Sequence, residues 1–286
     1  MTNADTRQED SPMSASQRVV LVIGASSGIG KATATLLAQS GFRVFGTSRH
    51  ANSPAPENVT MLSLDVRDAN SVNACVAAVL QQAERIDVLV NNSGIPGPIA
   101  AGEEVSIDQM RNLMEVNFFG ALRMMNVVLP LMRRQKSGHI VNIGSAGGLF
   151  GAPALGAYSA TKFALEGYTE SLRYEVQKFN VQVSIIEPGA FKTNIVSSVE
   201  PPAIPLEDYA TLRERVTAAN TKAIATGADP IAVAQVILKI VNTAVPNLRY
   251  PVGTGIPVLV LARRLLPHRL FSAMVTKVFN VADWRP

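Results

Sequence analysis

The sequence has a single cysteine, Cys75, in 286 residues, so no disulfide can close within the chain and no cysteine-based metal site can be built. A reducing compartment fits, and a cytoplasmic location is expected. The three histidines, His50, His139 and His268, lie far apart with no carboxylate or second histidine at ligand spacing. No metal centre is expected from that pattern. The opening residues, Met1 to Gln17, contain Asp5, Glu9 and Asp10 and no apolar h-region; they read as a disordered leader, not a secretory signal. Acidic residues are missing from one further stretch, Ser11 to Pro56, where there is none at all.

Charge is also unevenly placed. Twenty-six basic residues against 22 acidic give a formal +4, yet Arg249 to Pro286 holds six basic residues and only one acidic residue, Asp283. Residues 1–248 therefore carry 20 basic and 21 acidic side chains, a net of −1. A body this close to neutral lacks the basic face that phosphate contacts require, which argues against a general nucleic-acid binder. With 47% hydrophobic and 17% charged residues the chain is too apolar to be disordered and long enough to bury a sizeable core.

Apolar, β-branched runs alternate with helix-period segments, the pattern of βαβ units. Strands are expected at Val19–Ile23, Arg43–Thr47, Thr60–Leu64, Val88–Asn91, His139–Gly144, Gln182–Glu187 and Arg249–Pro251. Helices are expected at Ile29–Gln39, Ser71–Ala83, Asp108–Arg134, Leu155–Lys178 and Pro230–Ala244. Right-handed crossovers place helices on both faces of such a sheet. The expectation is an α/β fold: one Rossmann-type, doubly wound domain over residues 18–252 with a seven-stranded parallel sheet, followed by a C-terminal helical extension, 253–286.

Directly after the first strand comes Gly24-Ala-Ser-Ser-Gly28-Ile-Gly30, then a helical run. Glycines let the chain turn sharply and bring backbone N–H groups close to a pyrophosphate, and a helix N-terminus favours the anion. The spacing is GxxxGxG, and a tight strand-to-helix connection alone would also explain it. The carboxylate about 20 residues further on that usually holds the ribose 2′-OH of NAD is absent. Ser48 and Arg49 follow the second strand instead, and an arginine there can form charge-assisted bonds to a 2′-phosphate, so NADP(H) is expected in preference to NAD(H).

Tyr158-Ser-Ala-Thr-Lys162 opens a helix, and the i,i+4 spacing sets the phenol and the ammonium on one face. A cation beside a phenol favours the phenolate, the form that can take a proton. Ser145 ends the fifth strand, 13 residues before Tyr158, so strand end and helix start can converge on one substrate oxygen. Singly, a surface tyrosine and a lysine laid along a helix would be unremarked. Their joint arrangement is another matter.

These residues resemble the short-chain dehydrogenase/reductase family, over Val19 to about Pro251. The resemblance rests on Gly24 to Gly30, Leu64-Asp65-Val66, Asn91-Asn92-Ser93-Gly94, Val116-Asn117, Ser145, Tyr158 to Lys162, and Pro188-Gly189 through Thr193, in the family's order. It implies that Tyr158 gives a proton to a carbonyl or takes one from an alcohol, and that Ser145 hydrogen-bonds the reacting oxygen. It also implies that Lys162 assists Tyr158 and binds the nicotinamide ribose, and that Asn117 anchors a water leading to solvent. Cofactor contacts are implied for Gly24, Ser26, Ser27, Gly28, Ile29, Gly30, Ser48, Arg49, Asp65 and Val66 towards the adenosine end. Asn91, Ser93, Gly94, Tyr158, Lys162, Pro188, Gly189, Phe191 and Thr193 continue the set. The family expectation for assembly is a homodimer or homotetramer. Three positions depart from the family pattern: Ile23 stands for a threonine, Ser93 for an alanine and Gly144 for a serine. None removes a reacting group.

Ser145, Gly147, Leu149, Tyr158 and Phe191 are the expected substrate contacts, which makes the pocket mostly apolar. Phe45 to Arg49 and Glu166 to Leu172 resemble the branch with hydroxysteroid and retinol dehydrogenases, implying a hydrophobic ketone, aldehyde or alcohol. Ser197 to Ala219, with Pro201, Pro202 and Pro205, reads as a mobile cover. Beyond Pro251, Val258–Leu266 and a stripe of Leu270, Phe271, Met274, Val275, Val278 and Phe279 are interrupted by Arg263, Arg264, His268 and Arg269, so no transmembrane helix is expected. That extension reads as a pocket cover or subunit contact, with attachment to a membrane surface as the rival. A cofactor-binding regulatory or scaffold protein, and an epimerase or dehydratase on the same fold, stand as alternatives to the carbonyl reductase.

Overall fold

The computed structural model describes residues 17–50 and 54–284. The leader expected over 1–17 lies outside them except for Gln17, whose side-chain amide donates to the Gly41 carbonyl at 2.7 Å. Seven strands, β1 Val19–Ile23, β2 Arg43–Ser48, β3 Val59–Ser63, β4 Val88–Asn91, β5 Gly138–Ile143, β6 Val181–Pro188 and β7 Arg249–Val252, form one sheet in the order β3-β2-β1-β4-β5-β6-β7. Every pairing is parallel. The chain walks outward from β1 to β3, then crosses back to β4. That reversal opens a crevice at the carboxyl ends of β1 and β4, where doubly wound folds bind ligands.

The helices are α1 Gly28–Gln39, α2 Ala69–Ala83, α3 Ile107–Met114, α4 Gly120–Gln135, α5 Gly156–Val176, α6 Ala210–Ala225, α7 Ile231–Val241, α8 Ile256–Leu265 and α9 His268–Val278. Val20 and Val22 of β1 pack against Ala34 and Leu37 of α1 and Val233 and Ile237 of α7. Leu21 and Ile23, pointing the other way, pack with Val72 of α2, Met124 of α4 and Leu165 of α5. Strands buried on both faces explain why β1 and β4 are apolar without alternation. Each such side chain contributes about 1.5–3 kcal/mol on burial.

Three features differ from the sequence expectation. The run expected as one helix over Asp108–Arg134 is α3 and α4 joined by a π-helical turn, Glu115–Phe119. The extra residue in that turn carries Asn117 inward. The expected cover contains helix α6, which buries only Leu212 and Val216 and so has almost no apolar periodicity to read. The segment is also tied down: Gln109 Nε2 donates to Pro201 O at 2.9 Å, Leu206 N donates to Glu104 Oε1 at 2.9 Å, and Arg213 bonds the buried Glu104 carboxylate.

The C-terminal extension is a helical pair. Leu266 turns to an extended conformation (ψ 143°) ahead of Pro267, and this break separates α8 from α9. Their inner faces bury Phe271 and Val275 against Ala146 and Phe150, with Leu149, Ile256, Leu259 and Ala262 around them. Phe150 and Phe271 meet edge to face at 5.6 Å between centroids. The segment after α9 is held to α6 by Arg215, which bonds Asp283 at 2.6 Å. Among the described residues, no helix is long and apolar enough to cross a membrane.

Candidate active site

The glycine turn sits at the mouth of the crevice. Gly28 has φ +52°, and a carbon added there would lie 3.2 Å from Thr193 Cγ2, so the turn faces the loop after β6. Gly30 is closer still: its added carbon would lie 2.0 Å from Gly24 O and 2.5 Å from Asn92 Nδ2. Asn92 Nδ2 donates to Gly24 O at 3.0 Å and Ile23 O at 3.3 Å, and Gly24 N donates to Thr47 Oγ1 at 3.1 Å. Ser27 caps α1 without a side-chain cap bond, and no acidic residue lies in the first turn, so the helix opens at Gly28, Ile29 and Gly30 with its N-terminal N–H groups uncapped by a side chain. Ser26 is half-buried and Ser27 exposed.

Around this turn the remaining expected cofactor residues are spread along the strand ends. Ser48 is buried at the end of β2, its Oγ accepting from His50 N at 3.2 Å, while Arg49 beside it is exposed. Asp65 is bridged by Arg67 at 2.6 Å; the guanidinium bond holds its carboxyl down at about 2, and Arg49 adds to the same effect through space. Val66 is buried against Gly120.

Asn91 does not present its side chain to the crevice. It shares the sheet face of Leu89, is buried, and donates through Nδ2 to Asn142 Oδ1 at 2.9 Å, which in turn reaches Thr169. Its neighbour Asn92, outside the expected set, is the residue that ties the glycine turn to β4. Ser93 is half-buried and Gly94 exposed.

The reactive residues converge. A carbon added at Gly147 would lie 3.5 Å from both Ser145 Oγ and Tyr158 Cε1. Ser145 Oγ accepts from Gly147 N at 3.1 Å, which fixes the hydroxyl at the end of β5. Lys162 is buried, donates to Ile143 O at 3.0 Å, and lies 5.8 Å from the Tyr158 ring centroid. A carbon at Gly94 would sit 3.4 Å from Asn117 Oδ1 and 3.7 Å from Lys162 Nζ, so Gly94 borders both of those groups.

Asn117 has both amide hydrogens committed. Nδ2 donates to Ile95 O at 3.0 Å and Thr161 Oγ1 at 3.1 Å, and Oδ1 accepts from Ile95 N at 2.8 Å. Thr161 Oγ1 donates onward to Tyr158 O at 2.8 Å. Asn117 therefore holds the first turn of α5, and with it Tyr158, against the loop after β4. Thr161 was visible only as an unremarkable residue inside the Tyr158–Lys162 spacing.

Phe191, expected as a substrate and cofactor contact, is almost wholly buried. It lies in the cluster of α1 and α7, a carbon added at Gly253 would lie 3.4 Å from its ring, and it bridges to Ala228. It supports the loop after β6 from beneath. Pro188 ends β6, and Gly189 N donates to Val252 O at 2.9 Å while Ile256 of α8 packs over it. Leu149 is half-buried and packs with residues of α8 and α9.

One turn beyond Lys162 lies a buried acidic pair. Glu166 Oε2 accepts from Arg249 Nε at 3.1 Å, Glu187 stands 3.5 Å from the same nitrogen, and Glu170 takes Arg249 Nη2 at 2.9 Å. Gly144 makes this fit, since a carbon there would lie 3.0 Å from Glu166 Oε1. Burial pushes Glu187 up to about 8, with repulsion from Glu166 adding to it, and burial pushes Glu166 up to about 7 against the pull of Arg249. Carboxyls raised in the folded state bind protons that the unfolded chain has released, so stability is full below the unfolded carboxyl value and falls as pH rises through about 7 to 8. Melting temperatures should fall across that window in the wild type and fall less in Glu187→Gln. An equal decline in both would remove the pair as the cause.

A doubly wound parallel sheet with a glycine turn at its reversal point, beside a Ser-Tyr-Lys convergence, defines a nucleotide-binding α/β protein. More narrowly, the chain belongs to the short-chain dehydrogenase family, whose profile, described as short chain dehydrogenase, matches residues 18–203. It is 39% identical over 248 residues to a 3-ketodihydrosphingosine reductase of Bacteroides thetaiotaomicron, covering 85% of this chain and 90% of that one. It is 36% identical to retinol dehydrogenase 8 of Homo sapiens, covering 83% and 82%. A crystal structure of a short-chain dehydrogenase from Streptomyces avermitilis superposes with a TM-score of 0.78 at 34% identity, over 96% of this chain and all of that one.

Proposed function

We propose that the protein is an NADP(H)-dependent oxidoreductase that interconverts an apolar ketone or aldehyde and its alcohol, with Tyr158 as the acid/base. The observation that carries this reading is the approach of Ser145 Oγ and Tyr158 to one point beside Gly147, with Lys162 behind them. A dinucleotide would lie across the crevice: Gly24 and Gly28 turn the chain at positive φ, Gly30 lets α1 pack tightly on Gly24 and Asn92, and the α1 N-terminus has no capping side chain or acidic residue of its own. Gly24 to Gly30 would hold the pyrophosphate, Arg49 the 2′-phosphate, and Lys162 with Thr193 the nicotinamide end. When bound, such a cofactor supplies or accepts the hydride.

The chain's own residues supply the rest. Ser145 Oγ donates a hydrogen bond to the substrate oxygen as charge grows there, and Tyr158 gives or takes the proton at that oxygen. Asn117 and Thr161 hold Tyr158 in place through its backbone. The wall is mostly apolar. A cleft of about 950 Å³ runs between Ile99, Val199, Pro201 and Pro202 on one side and α6 on the other, with Glu200, Arg213, Glu214 and Lys222 also in its lining. The names of two relatives point the same way, since 3-ketodihydrosphingosine and retinol are an amphiphilic ketone and an apolar alcohol.

The first experiment is NADPH oxidation against a panel of long-chain ketones, ketosteroids and retinal. Stoichiometric consumption with one class supports the reading; a scaffold protein consumes none, and an epimerase regenerates what it uses. Cofactor choice is tested separately. Arg49→Glu should weaken NADPH by roughly 10- to 100-fold while leaving NADH little changed, because a charge-assisted pair becomes a repulsion. Equal losses for both would remove the 2′-phosphate assignment.

A further inference from the structure

We propose that the outer face of the α8–α9 pair docks on an anionic lipid surface. The pair buries one stripe against Ala146 and Phe150 and leaves a second stripe open. On α8, Val258, Leu261 and Leu265 are 68%, 55% and 71% exposed; on α9, Leu270, Met274 and Val278 are 56%, 38% and 65% exposed. The spacings of three and four residues set each trio along one side of its helix. Single exposed apolar residues are ordinary, but six in two adjoining short helices form an interaction surface.

Charge decides what covers it. Between Asp229 and Asp283 the chain has no acidic residue; of the pair's four cations Arg263 lies over the inner Phe271 ring, 5.3 Å from its centroid, which leaves Arg264, Arg269 and Lys277. Asp283 is already paired with Arg215. A second copy meeting this face about a two-fold axis would bring these cations against the same cations, with no carboxylate on either helix to receive them. Anionic headgroups receive them directly while the apolar side chains enter the acyl boundary, as interfacial helices do. The hydropathy of the pair is too interrupted to span a bilayer, so it lies on the surface.

The position gives the contact a use. Phe271 rests on Phe150, five residues past Ser145, so the helices that meet the lipid also pack on the segment that follows Ser145. If the substrate is apolar, as proposed above, docking opens the site next to the phase in which that substrate dissolves. The docking itself is read without turnover, so its failure and the failure of that reading are distinguishable.

The test is sedimentation of the full chain with vesicles of phosphatidylcholine mixed with phosphatidylserine, against phosphatidylcholine alone. Binding is expected to the mixed vesicles and to weaken with salt. Leu265→Ser with Leu270→Ser, and separately Arg269→Glu with Lys277→Glu, should each lower it by roughly tenfold or more, with the melting temperature and NADPH affinity retained. No binding of the wild type to the mixed vesicles overturns the proposal, as does binding that both double variants preserve. A wild-type dimer in sedimentation velocity that the leucine variant dissociates, without vesicle binding, assigns the face to a second copy instead.

Discussion

Tyr158→Phe should lower kcat by about 10²- to 10⁴-fold while leaving NADPH affinity and melting temperature close to wild type, the range that a positioned acid/base contributes. Phenylalanine keeps the ring and its volume, so the half-buried site is not opened, and Thr161 still bonds the backbone carbonyl of residue 158. Ser145 and Lys162 keep their own anchors, Gly147 N and Ile143 O. What is lost is the phenol hydroxyl, the group proposed to exchange a proton with the substrate oxygen. Single-turnover NADPH oxidation read with dissociation constants separates chemistry from binding. A variant that turns over within about tenfold of wild type would mean that another group moves the proton, and the convergence at Gly147 would then be packing.

The parts of this site that were legible in the sequence are those whose chemistry is rare. A phenol and an ammonium four residues apart at a helix start, or three glycines after an apolar strand, have few other uses. Phe191 shows the opposite case: an aromatic residue looks the same in sequence whether it lines a pocket or fills the layer beneath it, and here it fills the layer. The two asparagines at the end of β4 were ambiguous for a geometric reason. Successive residues of a strand point to opposite faces, so Asn91 falls in with Leu89 towards Asn142 while Asn92 meets the glycine turn. Which one faces the crevice depends on where the strand stops.

The same logic holds for the fold. Interior strands β1 and β4 match the expected limits because both faces are buried and the apolar run has sharp ends. The edge strand β3 begins one residue earlier than expected, with Val59 buried and Thr60 and Ser63 exposed, so little marks its limits. Helix α6 covers a loop instead of the sheet and needs only Leu212 and Val216 to do so, a stripe too thin for a periodicity argument. The π turn has no local signal at all, because its cause is remote: Asn117 is drawn to Ile95 and Thr161, and Gly120 is pressed on Val66.

Gly30→Ala should separate a cofactor cradle from a mere tight connection. The added methyl would stand 2.0 Å from Gly24 O, 2.9 Å from Gly24 C and 2.5 Å from Asn92 Nδ2. Two of those atoms are backbone, and Gly24 O is already held by Asn92. Relief therefore requires α1 to move away from β1, yet Thr33, Ala34 and Leu37 of α1 are fully buried. Overpacking of this kind costs about 1–3 kcal/mol, a fall of about 2–12 °C in melting temperature for a domain of this size. The displaced helix N-terminus should also cost roughly 100-fold in NADPH affinity, since a shift near 1 Å misplaces the N–H groups that face the pyrophosphate. Gly102→Ala, where nothing lies within 4 Å of the added carbon, is the control and should stay within about 0.5 kcal/mol of wild type. Loss of stability with NADPH affinity intact would leave Gly30 as a packing residue, whereas loss of both places the dinucleotide on the turn between β1 and α1.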